Sequence, residues 1–211
     1  MILKEALMQR AQEVSINMMG ENDKEQAYLA ANFRVKTTID MYGSGHPATW
    51  TGLILLASTY INLRDYSKAG SCLSKIQASL LDQDIKCPLE LGAELSRVYG
   101  LIAEGQGCLD DALTEFSEEV YSNSKVHGTH GWKTAGSYWR LGRTFLHKGL
   151  HDVADSMYRQ TVDIWLTYLR DKLLTNDEEK DVAAGVGGLF QKVKVEILDG
   201  EAKVQCSEAL T

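Results

Sequence analysis

The feature of this sequence that most constrains its fold is an internal repeat with a period of about 42 residues. Three segments align with one another: Leu55–Leu73, Val98–Phe116 and Arg140–Tyr158. In each segment a large apolar residue precedes a small one, and a further apolar residue follows three positions after the small one. An alanine comes nine positions later and a bulky apolar residue four positions after that. The alanines of the three segments are 43 and 42 residues apart.

This spacing predicts pairs of antiparallel helices. Small residues suit the points where two helices cross closely, and large ones fill the adjacent gaps. Gly107 and Gly149 lie where the first helix of a pair ends and a left-handed cap is favoured, whereas Arg64 holds that place in the first segment. The pattern resembles the tetratricopeptide repeat, and its long period resembles the extended class found in kinesin light chains. The resemblance implies an all-α, right-handed superhelical solenoid.

We predict ten helices, at residues 2–19, 24–43, 48–63, 66–82, 89–105, 109–124, 132–147, 151–174, 179–195 and 200–210. A single solenoid over residues 1–211 would comprise a degenerate first repeat at 1–43, three clear repeats at 48–175 and an incomplete repeat at 176–211. The matching positions of that last repeat are Leu189, Val193, Ala202 and Cys206. Such an incomplete repeat indicates either a fragment or an end that something else caps.

The loops between repeats also carry related residues. Pro47 and Pro88 are expected at or near the first turn of a helix, where proline is tolerated. His46 and His130 lie 84 residues apart, which is two periods.

Charge and cysteine usage exclude several classes of partner. The net charge is −7 and there is no basic stripe, so we expect neither nucleic acid nor an anionic membrane as a partner. Charges at Lys4, Glu5 and Arg10 argue against a signal peptide. The four cysteines form no CxxC pair, so zinc-ribbon and redox spacings are absent. We interpret them as small apolar side chains in a reducing compartment. We therefore expect an intracellular protein.

No constellation of residues predicts catalysis, a cofactor or a metal. His127 and His130 have HxxH spacing, but no acidic or cysteine partner lies nearby, so a role in the turn is the better interpretation. The GVGG run at 185–188 follows no predicted strand and is not a dinucleotide fingerprint. The pair Glu118–Glu119 is most simply a solvated face. We predict no catalytic, cofactor-binding or metal-binding residues.

The functional surface is then expected to be a groove lined by the first helix of each pair. From the repeat pattern, the partner-binding candidates are Arg97, Leu101, Glu104, Trp139, Arg143 and His147. Further groove-facing positions are Ile54, Ser58, Ile61, Asn62, Glu94 and Leu146. Trp139 and Arg143 either grip an acidic or aromatic peptide, or Trp139 packs against the neighbouring repeat. Because glutamates sit among the groove positions, a carboxylate clamp for chaperone tails is not expected.

Several runs of sequence are more specific than a generic repeat. They are EEVY at Glu118–Tyr121, SYWRLG at Ser137–Gly142, DVADSMY at Asp152–Tyr158, DIWLTYL at Asp163–Leu169 and GLFQKVKVEILDGEA near Gly188. Over residues 1–210 the chain resembles the MYND-zinc-finger, tetratricopeptide-containing protein family of motile cilia and flagella. The zinc finger itself has no counterpart here, because its pattern of about eight Cys and His ligands is absent. Zinc is therefore not implied.

The resemblance implies a scaffold of the ciliary or flagellar axoneme that docks or tethers inner dynein arms. Its implied partners are another tetratricopeptide axonemal protein and inner dynein arm subunits. The alternative is a cytosolic cargo adaptor similar to a kinesin light chain, favoured by the long period. An enzyme is a third class, which no constellation of residues supports.

Overall fold

The computed structural model describes residues 2–21 and 23–173, which form eight α-helices. They are α1 (Ile2–Gly20), α2 (Lys24–Tyr42), α3 (Pro47–Asn62), α4 (Tyr66–Asp82), α5 (Leu89–Gly105), α6 (Leu109–His127), α7 (Trp132–His147) and α8 (His151–Leu173). Each odd-numbered helix turns back and packs against the next even-numbered one, giving four antiparallel pairs. None of these helices is both long and apolar enough to span a bilayer.

The eight helices agree with eight of the ten predicted ones, and every end lies within three residues of its predicted place. The largest difference is at α6, which continues to His127 because Gly128 ends it by donating its N–H to the carbonyl of Ser124 at 3.0 Å. The predicted helices 179–195 and 200–210, with the incomplete repeat to which they belong, lie outside the described residues.

The small residues of the repeat lie at close helix crossings, as the spacing predicts. A Cβ atom on Gly100 would lie 2.5 Å from Cε1 of Phe116, so no side chain fits there. A Cβ on Gly142 would lie 3.0 Å from Cβ of Met157 and 3.1 Å from Cε1 of Tyr158. These contacts hold α5 on α6 and α7 on α8 in the register that the repeat alignment predicts.

The first pair, α1 and α2, uses a hydroxyl where the later pairs use alanine or glycine. Ser15 lies 42 residues before Ala57 and is fully buried. Its Oγ donates to the carbonyl of Ala27 at 2.9 Å, and Ala27 is fully buried as well. Because the hydroxyl has an acceptor, a polar side chain is tolerated at this crossing.

The turns inside the second, third and fourth pairs have one geometry. The left-handed position is held by Arg64 (φ 60°), Gly107 (φ 81°) and Gly149 (φ 77°). In all three turns the next N–H donates to the carbonyl five residues earlier, at 2.9 to 3.0 Å. Arg64 therefore adopts the same turn as the glycines, although a non-glycine residue there costs roughly 1–2 kcal/mol. The carboxylate of Asp65 then caps α4 by accepting from the N–H of Lys68 at 3.1 Å.

Two of the three junctions between pairs share a hydrogen-bonded loop. Gly43 (φ 88°) ends α2 and Gly128 (φ 83°) ends α6. Thr49 Oγ1 donates to the carbonyl of Gly43 at 2.8 Å, and Thr134 Oγ1 donates to that of Gly128 at 2.9 Å. Both threonines are fully buried, so each loop is tied to the helix that follows it.

The two matched loops also show which residue of the second loop corresponds to His46 in the first. His46 is the N-cap of α3, and its Nδ1 accepts from the N–H of Ala48 at 3.1 Å. The N-cap of α7 is Gly131. Gly131, and not His130, is therefore the structural counterpart of His46.

Candidate partner-binding groove

The first helices of the first three pairs, α1, α3 and α5, line an open groove of about 670 Å³ together with Arg34 of α2, and we call it the α1–α3–α5 groove. Its aliphatic lining comes from Ile16, Met19, Ile54, Leu55, Ile61 and Leu101. Its polar lining comes from Gln12, Arg34, Thr51, Ser58, Asn62, Glu94 and Arg97. Ile16 is 48% exposed, so apolar surface is available to a partner.

The structure brings seven of the twelve groove-facing candidates together in this groove. They are Ile54, Ser58, Ile61, Asn62, Glu94, Arg97 and Leu101. The 3.6-residue helical period places the α3 and α5 members on the same side of their helices. Arg97 and Leu101 are thus the two partner-binding candidates that lie in the groove.

Arg97 is already paired within its own helix. Its Nε and Nη2 donate to one carboxylate oxygen of Glu94, at 3.1 and 2.6 Å. Both residues line the groove, with the arginine half-buried and the glutamate exposed. This part of the surface therefore has little net charge.

The other four partner-binding candidates form a cluster near the C-terminal ends of α5 and α7. Arg143 Nε donates to Glu104 Oε1 at 2.9 Å, and its Nη2 bonds Glu104 Oε2. His147 Nδ1 lies 3.4 Å from Glu104 Oε1. The bidentate pair joins the first helices of the third and fourth pairs, which is a structural role that the repeat pattern did not predict.

Trp139 belongs to the same cluster but stays accessible. The guanidinium carbon of Arg143 lies 4.8 Å from the centre of its ring. The indole is nevertheless 44% exposed. Trp139 therefore stacks on a neighbour in its own helix and presents part of its ring to solvent, so its role in partner binding stays a prediction.

A second, smaller cavity of about 480 Å³ has aromatic walls, and we call it the tryptophan cavity. Trp132 and Trp165 line it, with ring centres 6.2 Å apart. Tyr168 completes the aromatic cluster, 5.7 and 5.8 Å from the two tryptophans. The cavity shares Glu94 and Arg97 with the α1–α3–α5 groove. The groove and the cavity therefore adjoin each other, with walls that together include residues from α1 to α8.

Glu119 lies in this cavity and corrects the expectation of a solvated Glu118–Glu119 pair. Glu118 is exposed, but Glu119 is only 1% exposed. Arg140 Nε donates to Glu119 Oε2 at 2.9 Å, and Ser137 Oγ donates to Glu119 Oε1 at 2.9 Å. Asn123 Nδ2 donates in turn to Ser137 Oγ at 2.9 Å. The network ties α6 to α7.

Sequence reasoning also missed Arg34 of α2. Its Nη1 donates to Gln12 Oε1 of α1, and its Nη2 donates to Thr51 Oγ1 of α3 at 3.0 Å. Neither partner is close in sequence. The repeat pattern contains no signal for this contact, since it joins three helices at positions that the repeat does not constrain.

The histidines and cysteines of the described ranges form no metal-binding group of three or more ligands. His130 Nδ1 lies 3.3 Å from the side-chain nitrogen of Gln160. Burial raises the pKa of the Cys72 thiol, and partial desolvation raises that of the exposed Cys87 thiol. A raised pKa lowers the thiolate fraction, so neither thiol is tuned as a nucleophile.

No protein-family model matches the sequence. Among solved structures, the chain is similar to a Podosopora anserina protein with nearly identical TPR-like repeats, assigned as a kinesin light chain. The TM-score is 0.57 with 18% sequence identity, over 95% of this chain and 97% of that one. A single-substitution variant of the same protein gives a TM-score of 0.57 with 20% identity, over 91% of both chains. The fold is therefore a TPR-like helical repeat solenoid.

Proposed function

We propose that the chain is a non-catalytic protein-interaction scaffold that holds a partner protein in the α1–α3–α5 groove. The observation that carries the proposal is the groove itself, which combines accessible aliphatic surface with an ion pair among its lining residues. Ile16 is 48% exposed, while Arg97 is bonded to Glu94. Accessible apolar surface rimmed by polar groups is typical of a protein-binding site.

The finer proposal is that this scaffold belongs to the ciliary or flagellar axoneme and docks or tethers inner dynein arms. Its support is the resemblance of runs such as Ser137–Gly142 and Asp152–Tyr158 to the axonemal family. Both runs also include residues that pack helix against helix, since Gly142 lies against Tyr158. The proposed partners are another tetratricopeptide axonemal protein and inner dynein arm subunits.

The test is proximity labelling of the tagged full chain in a ciliated cell, followed by detergent extraction of the axonemes. We expect a signal that survives extraction, with dynein-arm proteins among the labelled neighbours. A diffuse or vesicular cytoplasmic signal would sink the axonemal proposal.

A matched pair of variants connects this test to the groove. Leu101→Glu places a charge in the groove, and Leu81→Glu places the same charge on a side chain that is 80% exposed and lies outside it. We expect Leu101→Glu to lose the labelled partners and Leu81→Glu to keep them. Circular dichroism melts establish that both variants are folded before the comparison is made.

A cytosolic cargo adaptor similar to a kinesin light chain is the second candidate. It is favoured by the likeness to the Podosopora anserina structures and by the period of about 42 residues. In the same labelling experiment it predicts microtubule-motor and vesicle proteins as neighbours, in cells with and without cilia. The list of neighbours therefore separates the two proposals.

A further inference from the structure

Arg34 differs from the other arginines that are at least half-buried in the described part of the chain. Arg97, Arg140 and Arg143 each bond a glutamate, at Glu94, Glu119 and Glu104 respectively. Arg34 bonds only the neutral side chains of Gln12 and Thr51. Its charge therefore has no carboxylate partner in residues 2–21 and 23–173.

The two neutral partners fix the position of this guanidinium and leave some of its N–H donors unbonded. A guanidinium has five N–H donors, and the contacts with Gln12 and Thr51 use one donor on each terminal nitrogen. Because Gln12, Arg34 and Thr51 lie on α1, α2 and α3, three helices hold the group in one place. The remaining donors are free to bond a further acceptor.

An unpaired, half-buried charge is costly, because it gives up part of its hydration without gaining a counter-ion. Burial also lowers the pKa of Arg34. An added carboxylate would supply the missing counter-ion, and bonds between a guanidinium and a carboxylate are among the strongest that proteins use.

The surroundings of Arg34 define the rest of the ligand. Ile16, Ile54, Ile61 and Leu101 line the same groove. The other charged side chains of the groove lining, Glu94 and Arg97, neutralise each other. A ligand that fits therefore carries aliphatic groups and a single negative charge. A polyanion does not fit, since the whole chain has a net charge of −7.

We propose that the α1–α3–α5 groove binds a partner segment in which a carboxylate is flanked by large aliphatic side chains, with the carboxylate bonded to Arg34. This proposal rests on the proposed function of the groove as a protein-binding surface, and it names the chemistry of the partner. The aliphatic side chains pack on the isoleucine and leucine residues of α1, α3 and α5. The carboxylate belongs to an Asp or Glu side chain of that segment.

The experiment starts by selecting 12-residue peptides from a random displayed library on the immobilised full chain. Selected peptides are then synthesised in pairs that differ only in the acid or the amide, with Asp replaced by Asn. Their binding is measured to the unchanged protein, to Arg34→Met and to Arg170→Met. Arg170 is an exposed arginine of α8 outside the groove, so its variant removes the same charge from a different place.

We expect the selected sequences to share an acid beside large aliphatic residues. Arg34→Met should lower the affinity for the acidic peptide by about tenfold, which corresponds to about 1.4 kcal/mol of binding free energy. Arg34→Met should leave the affinity for the amide peptide unchanged, and Arg170→Met should change the affinity for neither peptide. Arg34→Lys should recover part of the affinity, because it restores the charge without the forked geometry.

Selected peptides without an acid, or acidic peptides that bind equally well to Arg34→Met, would overturn the proposal. A selection that yields no peptide binding in the groove would overturn it as well. In that last case the scaffold proposal still stands if proximity labelling finds partners, since the partner then binds another face of the solenoid. If labelling finds no partners while acidic peptides bind through Arg34, the scaffold proposal fails and the groove chemistry stands.

Discussion

The outer junctions between helix pairs and the central one are built from different interactions. The outer junctions, α2 to α3 and α6 to α7, each use a left-handed glycine whose carbonyl accepts from a buried threonine. The central junction, α4 to α5, has Asp84 (φ 51°) in a loop where all of residues 81–90 are exposed. Pro88 precedes α5 there and gives no side-chain cap.

Side-chain bonds across the junctions follow the same division. Glu119 ties α6 to α7 through Arg140 and Ser137, and Arg34 ties α2 to α3 through Thr51. No hydrogen bond or ion pair between described residues joins α1–α4 to α5 or α6. The contact there is apolar, with Leu91, Leu95 and Val98 of α5 in the same core cluster as residues of α3 and α4.

We infer from this difference that the outer junctions are stiffer joints than the central one. Hydrogen bonds have a narrow range of good geometry, so the outer junctions hold one angle between pairs. Apolar contact is not directional, so the central joint tolerates small rotations. The α1–α3–α5 groove spans this joint, since Ile54 lies on one side and Leu101 on the other.

Removing the hydrogen-bonded charge network around Glu119 is expected to have the largest effect on the free energy of unfolding. Glu119→Ala leaves Arg140 and Ser137 without their acceptor at the α6–α7 junction, and breaking such a pair costs about 3–5 kcal/mol. Urea unfolding measures the loss. Glu118→Ala, at the exposed neighbour, is the control and should change little. Equal effects of the two variants would contradict the polar character of this junction.

Truncating an apolar side chain at the central junction is expected to have the second-largest effect on stability. Leu95 is 7% exposed, and Leu95→Ala should cost roughly 2–4 kcal/mol through lost contact and the cavity left behind. Because no polar bond spans the joint, hydrogen exchange should then show α1–α4 and α5–α8 opening as separate units. Exchange that rises uniformly over all eight helices would show that the joint is not a boundary.

The threonine bonds should contribute less. Thr49→Val and Thr134→Val keep the side-chain shape but lose the bond to the glycine carbonyl, at a cost of about 1 kcal/mol each. Thermal melts give the comparison. Thr114→Val is the control, since its exposed hydroxyl bonds only its own helix at Asp110. Outer-junction variants that melt like Thr114→Val would remove the distinction between junctions.

The smallest effect is expected in the central loop and has the opposite sign. Asp84→Gly relieves a left-handed backbone position and should stabilise the protein by about 0.5–1 kcal/mol. Asp82→Gly, inside the last turn of α4, should destabilise it instead by up to about 1 kcal/mol. The shifts in melting temperature should therefore be opposite. Destabilisation by Asp84→Gly would mean that its side chain, and not its backbone, shapes the loop.

The sequence predicted the parts of the fold that repeat. A small residue opposite a large one, as at Gly100 and Phe116, leaves a periodic pattern, and helix ends follow it closely. Arg64 departs from the glycine of the other two segments, yet its turn has the same hydrogen bonds as the glycine turns. Backbone geometry there is set by the packed helices on both sides, which override the local preference of arginine.

The interactions that do not repeat could not be predicted. Glu119 lies seven residues after the buried Ala112 and three after the buried Phe116, so the helical period places it on the inner face of α6. Its partners Arg140 and Ser137 reach it from the next helix, and the repeat pattern does not mark them. Arg34 is likewise held by residues of two other helices, Gln12 of α1 and Thr51 of α3, which the repeat pattern does not mark. Seven of the twelve groove-facing positions lie together in the α1–α3–α5 groove because they depend on helical period alone.

The most direct test of the central claim, that the α1–α3–α5 groove holds the partner, is site-specific photo-crosslinking in a ciliated cell. A benzoylphenylalanine at Asn62 lies in the groove, and one at Ser67 lies on exposed surface of α4 outside it. The account predicts a crosslinked partner, with dynein-arm or other axonemal proteins among its peptides, from position 62 alone. A partner captured from position 67 and not from position 62 would contradict it.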